Sequence, residues 1–351
     1  MGPGRRLTRT LAALTALVVL AGCSRIDRGD SAADARDLGA AAQVRLGYFP
    51  NVTHAAALIG VDRGFFAREL GGTRLTTQTF NAGPAAVNAL LGGSLDVSFI
   101  GSGPAVNAYA KSDGQAVRLV AGATSGGAQL VVRPDVTTPA DLRGKVLTAP
   151  QLGNTQDVAL KKWLAGERLD TQVTNVENAQ SLDLFQRGDV DGAWAPEPWS
   201  SRLVLEAGAK VLLDEASLWD GGRFPTTVVL VRTRFLKEHP ATVEALLRGH
   251  LAATRFARDH EAEAKQVVND ALARLTGKAL AGPVLDRAFD HIELTLDPRA
   301  GSFLRLAQDA VTAGVAKKAA NVAGLADFTL LNEVLSAAGE PTVDAAGLDR
   351  K

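Results

Sequence analysis

Apolar positions along this chain fall into two repeating patterns. From residue 43 onward, runs of six to eight apolar or β-branched residues alternate with longer amphipathic stretches. The runs "VRLGYF", "RLTTQTF", "LDVSFIG", "AVRLVAGA" and "AQLVVR" predict strands. Between them, 54–69, 84–91 and 104–111 carry helical spacing. A second round begins near Pro139, with a short helical turn in "PADLRGK". It continues with strands in "VLTAP", "QVTNVE", "VDGAWAP" and "AKVLLDE", separated by helices at 155–165, 179–188 and 200–208. "TTVVLVR" at 226–232 predicts one more strand. Almost everything after it, in segments 240–259, 261–275, 281–292, 301–316 and 327–337, has helical periodicity.

Alternation of this kind implies α/β architecture with mainly parallel sheets covered by helices. Two rounds and a late strand imply two lobes joined by two crossings, near 132–138 and 222–228, with a helical C-terminal tail returning to the first lobe. The expected division is lobe 1 from 43–133 and 225–345, and lobe 2 from 134–224. Ligands of open α/β sheets bind beyond the carboxyl ends of the strands, so two such ends facing each other make a cleft.

The first 42 residues do not share this pattern. Arg5, Arg6 and Arg9 precede the apolar run "LAALTALVVL", which is too short to span a bilayer. Leu20-Ala21-Gly22-Cys23 follows, and Cys23 is the single cysteine of the sequence. This resembles a bacterial lipobox. It implies a signal peptide over 1–22, lipidation at Cys23, and a cell-membrane location on the extracytoplasmic face. The Arg5-Arg6 pair leaves twin-arginine or general secretory export open. Residues 23–42 lack apolar periodicity and are expected to form a flexible tether.

Lys+Arg and Asp+Glu balance at 38 each, and removal of residues 1–22 would leave 35 basic against 38 acidic side chains. Neither balance suits nucleic acid. No metal-ligand cluster, cofactor motif or catalytic order is evident, and a monomer is expected.

Three strand-to-helix turns share one design. "TFNAGP" and "FIGSGP" place glycine and proline where a helix begins, bringing Gly83, Ser102 and Gly103 to a helix start. "QLGNTQ" places Asn154, Thr155 and Gln156 at another. Free N–H groups and neutral side-chain donors at such turns attract anions without lysine or arginine. The same residues also serve as ordinary caps. Asn51 and His54 follow the first strand in "YFPNVTH", and Thr124 follows the fourth. In "DGAWAPEPWSS", Trp194 and Glu197 fit either a pocket wall with a carboxylate or core packing with a solvated charge.

Four stretches carry a resemblance: "GYFPNVTHAAALIG", "FNAGPAAVNALLGGSLDVSFIGSGP", "DLRGKVLTAPQLGNTQD" and "LFQRGDVDGAWAPEPWSSRLVLEAGAKVLLD". Their order and spacing are similar to the aliphatic sulfonate, taurine and nitrate-type binding proteins of ABC importers. The resemblance covers roughly 43–260 and implies a two-lobed periplasmic-binding-protein type II fold. It also implies capture of a small organic anion, foremost an aliphatic sulfonate, and delivery to a permease and its ATPase. By position, Gly83, Ser102, Gly103, Asn154, Thr155 and Gln156 match the ligand loops of that family. Near Glu197 the family often has an aspartate in a tryptophan-aspartate-proline context, and "WAPEPW" departs from it. Nitrate, bicarbonate or a thiamine-pyrimidine precursor are alternative ligands of the same fold. An enzyme acting on such a precursor is the rival class.

Overall fold

The computed structural model describes residues 35–350. The signal-peptide and Cys23 readings lie outside them. Eleven strands form two sheets among the described residues. The first sheet takes β1 (Gln43–Tyr48), β2 (Arg74–Thr79), β3 (Val97–Gly101) and β4 (Val117–Gly126). The second takes β5 (Ala128–Val132), β6 (Val146–Ala149), β7 (Gln172–Asn175), β8 (Gly192–Pro196) and β9 (Lys210–Asp214). The chain then returns to the first through β10 (Pro225–Arg232) and β11 (Ile292–Leu294). Strand order is β11-β4-β10-β3-β1-β2 in one sheet and β7-β6-β8-β5-β9 in the other. Each sheet mixes parallel pairs (β1 with β2 and β3; β6 with β7 and β8) with antiparallel ones around β10 and β5.

The helices of the first round are α1 (Ala55–Asp62), α2 (Phe65–Leu70), α3 (Gly83–Leu91) and α4 (Ser102–Lys111). Those of the second are α5 (Thr155–Gly166), α6 (Asn178–Arg187) and α7 (Trp199–Ala207). The tail has α8 (Thr233–Glu238), α9 (Pro240–Asp259), α10 (Glu261–Thr276), α11 (Gly282–Asp290), α12 (Phe303–Thr312) and α13 (Thr329–Ala337). The expected single helix over 54–69 is broken at Gly64, whose φ of 68° is left-handed. β11 sits at the end of a segment expected to be helical, and only three residues long it carries too little pattern to announce itself.

The first crossing is earlier than expected. It falls at Gly126–Gly127, both at positive φ (79° and 74°), before β5 rather than after it. The strand "AQLVVR" therefore belongs to the second sheet, not to the first lobe. Residues 38–41 also depart from a free tether. Leu38 N–H donates to Glu238 C=O (2.8 Å), Ala41 N–H donates to Thr242 Oγ1 (2.8 Å), and Ala41 is buried.

Each sheet is covered on both faces, as buried parallel strands require. The second shows it most simply. Leu130 and Val132 of β5 and Trp194 of β8 point into one cluster with Leu160 and Trp163 of α5. Val131, Ala193 and Ala195, one residue out of phase, pack with Phe185 of α6 and Leu203 of α7 on the other face. The tail covers the first sheet, with α9 against α1 and α2, but it also reaches the second lobe. There α11 packs on α7 and α12 on α5, while α12 also packs on α4 of the first lobe.

Candidate functional site

Parallel strands deliver their carboxyl ends, and hence the following helix starts, to one side of each sheet. Where the two sides meet lies a cavity of about 240 Å³. Several elements open on it. Asn51, Thr53 and His54 come from the turn after β1, Gly101 from the cap of α4, and Asn154, Thr155 and Gln156 from the start of α5. Asn178 and Ala179 come from the start of α6, and Trp199 from the start of α7. Thr226 and Thr227 arrive differently. They begin β10, which runs antiparallel to β3 and so starts where β3 ends, with Thr227 opposite Gly101.

The α5 turn is built from local geometry. Gly153 turns at a φ of 77°, and Asp157, fully buried, accepts its N–H at 2.8 Å. Asn154 Oδ1 accepts from Thr155 N–H at 2.8 Å. The capping arrangement is thus real, and it leaves donors over. The N–H groups of Gln156 and Asp157 have no intrahelical acceptor, because they belong to the first turn. Thr155 Oγ1 accepts from Gly103 N–H of the facing lobe at 3.3 Å. Asn81 Nδ2 makes a second bridge between lobes, 3.4 Å from each carboxylate oxygen of Glu177.

His54 is buried, stacked on Phe49 with ring centroids 4.4 Å apart, and Phe49 N–H donates to its Nδ1 at 3.3 Å. An Nδ1 that accepts leaves the proton on Nε2. Desolvation lowers the His54 pKa to about 3, so the ring faces the cavity as a neutral donor. Asn51 is 8% exposed and its Oδ1 has no partner. Among the described residues no lysine or arginine lines the cavity, and the one carboxylate is Glu177, at the exposed rim.

Five of the candidates read from the sequence, Asn51, His54, Asn154, Thr155 and Gln156, line this cavity. The others do not. Gly83 and Gly103 serve close approach: a Cβ on Gly83 would stand 2.1 Å from Pro104 Cγ, and one on Gly103 would stand 3.2 Å from Thr155 Cα. Ser102 is fully buried at the start of α4, and its hydroxyl has no partner. Thr124 donates to Thr53 C=O at 2.6 Å and so holds the turn that carries His54.

Trp194 and Glu197 are corrections to the pocket-wall reading. Trp194 is a core residue whose Nε1–H donates to Glu215 at 2.7 Å. Burial pushes the Glu215 carboxyl up to about 7. Glu197 is fully buried, but it faces the tail. Arg287 Nη1 of α11 reaches its Oε1 at 3.2 Å and Ser201 Oγ at 2.8 Å, while Nη2 reaches Gln129 Oε1 at 2.8 Å. Desolvation raises the Glu197 pKa; the Ser201 N–H, which donates to Glu197 Oε2 at 3.2 Å, and the charge of Arg287 oppose it.

A larger cavity of about 600 Å³ lies across the Gly103–Thr155 contact, between α4, α5 and α12. Its walls are mostly alanine, valine and aromatic carbon, with Asp113, Glu215, Asp309 and Lys318 among them, and both α4 and α5 begin there, through Gly103 and Thr155. The smaller cavity gathers the starts of α5, α6 and α7 and the turn after β1.

Two sheets in contact across a cavity ringed by helix N-termini define a two-lobed binding protein of the periplasmic type. The chain belongs to the NMT1-like family, whose model matches residues 39–272. It is 31% identical over 219 residues to the taurine-binding periplasmic protein of Escherichia coli (strain K12), covering 60% of this chain and 67% of that protein. The fold matches the alkanesulfonate-binding protein SsuA from Xanthomonas axonopodis pv. citri bound to MOPS (TM-score 0.65, 22% identity, covering 78% of this chain and 92% of that one). It also matches the periplasmic nitrate-binding protein NrtA from Synechocystis PCC 6803 (TM-score 0.69, 16% identity, covering 84% and 89%). At these identities the structural likeness carries the fold.

Proposed function

We propose that the protein captures a small sulfonate between its lobes, outside the cytoplasm, and hands it to an ABC permease and its ATPase. One observation carries the reading: several helix starts and neutral donors converge on a cavity whose lining, among the described residues, holds no lysine or arginine. A sulfonate stays charged at all ordinary pH, so its buried oxygens need hydrogen bonds. Helix N–H groups, Asn51, His54, Thr155, Gln156 and Thr227 supply them without a tight ion pair. Release once the lobes part is then easy. Phe49, Phe80 and Trp199 line the same cavity and offer apolar surface to an alkyl chain. Nitrate or bicarbonate would leave that surface unused, which favours the sulfonate. The named relatives are binding proteins, and binding rather than catalysis is the role proposed here.

Thr155→Val preserves shape and removes the hydroxyl. Losing one hydrogen bond to a charged ligand costs about 1.5–3 kcal/mol, roughly ten- to a hundredfold in Kd. Titration calorimetry with ethanesulfonate is expected to show that loss. A Kd that stays put while the unliganded melting point falls would reduce the turn to a cap. We also propose that the mature chain is anchored by lipid at Cys23, on the strength of Leu20-Ala21-Gly22-Cys23. Cys23→Ser should move it from the membrane fraction to the soluble one or leave it unprocessed, and membrane retention with a processed N-terminus would count against the anchor.

A further inference from the structure

The larger cavity, of about 600 Å³, is separate from the sulfonate site, although Thr155 stands between the two and lines both. Its volume falls within the roughly 300–1,000 Å³ of small-molecule sites. Small side chains keep it open: Ala110 of α4, Ala159 of α5, Ala307 and Ala310 of α12, and Ala319 and Ala320 after that helix. Packed interiors fill such space with larger side chains, so an alanine lining leaves room for an apolar guest. Tyr109 and Trp219 add ring surface. The walls come from both lobes and from the tail.

The charges of this cavity are one-sided. Asp113, Glu215 and Asp309 line it against one cation among the described residues, Lys318, which is exposed. Arg305 answers Asp309 at 3.6 Å, whereas among the described residues neither Asp113 nor Glu215 has an ion-pair partner. Glu215 is the informative acid. It is 2% exposed and accepts the Trp194 Nε1–H at 2.7 Å. A neutral acceptor would serve that indole equally well, and a buried carboxylate carries a desolvation cost that a neutral group does not. Burial, and after it the charge of Asp214, push the Glu215 carboxyl up to about 7, against the Trp194 hydrogen bond and the charge of Arg305. A cation brought to it meets a carboxylate short of countercharge, in surroundings where attraction is little screened.

We propose that this cavity is a second ligand site, for a hydrophobic amine whose ammonium sits against Glu215 and whose apolar body fills the alanine-lined space between α4, α5 and α12. Asp113, exposed at the edge, draws the cation in, and the ammonium then donates to a carboxylate that the protein leaves without a charged partner. An anion of the same shape is repelled. The two cavities thus sort ligands by charge, with cation-free donors around the smaller and acids around the larger. The assignment stands whether or not the smaller one holds a sulfonate.

Calorimetry at about pH 8, where Glu215 is mostly ionised and an alkylamine is still charged, tests this. The probes are phenethylamine, phenethyl alcohol and phenylpropionate, which share an apolar body and differ in charge. The wild type is expected to bind the amine at least about tenfold more tightly than the alcohol, and the carboxylate least. Glu215→Gln keeps an acceptor for Trp194 and should erase the preference for the amine, with the alcohol held within about twofold. Ala310→Trp fills the space and should abolish binding of both. Glu177→Gln alters the carboxylate of the smaller cavity and should change nothing. A wild type that ignores the amine, or binds the alcohol as tightly, would overturn the assignment. So would a preference that survives Glu215→Gln, or a folded Ala310→Trp that binds as before. Loss of the amine in Glu177→Gln would move it to the smaller cavity and equally end the proposal. Should Ala310→Trp not fold, Glu215→Gln and Glu177→Gln decide between the two cavities on their own.

Discussion

The turn at 153–156 and the turn at 194–199 stand at equivalent places, each at the end of a strand of the second sheet with a helix beginning after it. Both contain polar residues in a tight bend. In the first, the protein's own bonds leave Thr155 and Gln156 lining a cavity. In the second, the protein consumes what it presents: Trp194 gives its N–H to Glu215, and Glu197 is taken by Arg287 and Ser201. A polar group at a strand end is available to a ligand only when the fold has left it over. That depends on what packs opposite, here the tail helix α11.

The sharpest way to break the comparison is Glu197→Ala. Removing one partner of a buried ion pair strands the other and costs about 3–5 kcal/mol. Chemical denaturation should show that loss, while ethanesulfonate affinity in the folded protein should hold within about twofold. Retained stability with lost binding would exchange the roles of the two turns.

Glu215 sharpens the same side. Its native pKa of about 7 lies above the ordinary 4.5. An acid that keeps its proton longer when folded makes the native state lose stability as pH rises from about 4.5 to 7. Glu215→Gln keeps an acceptor for Trp194 and removes that loss, on the order of 3 kcal/mol across the window. His54 and His250 act in the opposite sense, because burial lowers their pKa values to about 3 and 4, so they cost stability as pH falls below 6.5. They are common to both proteins, and the difference in melting point between wild type and variant isolates Glu215. A difference that does not grow with pH would show that the carboxyl titrates normally.

The smallest expected effect tests the first turn. A Cβ on Gly101 would stand 2.6 Å from Thr155 Oγ1, across the lobes. The Gly101 backbone, at φ −63° and ψ 149°, is open to alanine. The same Cβ would press on Pro104 Cδ of its own lobe at 3.3 Å, so Gly101→Ala should cost a little unliganded stability and oppose closure, weakening ligand about tenfold, ~1.4 kcal/mol. Small-angle scattering of the saturated variant should show a larger radius of gyration than saturated wild type. Identical scattering and affinity would mean the lobes do not meet at this point when ligand binds.

Much of this architecture is legible in the order of residues. Strand and helix alternate with clear periods, so the two-lobed fold and the turn at 154–156 follow from local pattern. The rest is not local. β5 has the same apolar character whichever sheet it joins, and only the left-handed pair Gly126–Gly127 settles that it starts the second lobe. Thr226 and Thr227 enter the cavity because β10 runs antiparallel, a choice no short motif records. Glu177 meets Asn81 of the other lobe, 96 residues away, a pairing no short motif records. Glu197 looked available because its partner Arg287 lies 90 residues away.

The tail also bears on how the lobes swing. Of the two connections between sheets, Gly126–Gly127 is short, glycine-made and covered on one side by Ile292. The other, between β9 and β10, is splinted. Arg305 of α12 lies 3.9 Å above the Trp219 ring and donates to Leu218 C=O at 2.9 Å, while Phe303 and Leu306 of that helix are sunk in the first lobe's core. The glycine strap is held as well: Gly126 N–H donates to Phe224 C=O at 3.2 Å, Thr226 Oγ1 donates to Gly126 C=O, and Glu197 N–H donates to Gly127 C=O at 2.8 Å. The two straps are thus laced to each other, so opening is expected to turn them together as one hinge rather than bend each alone.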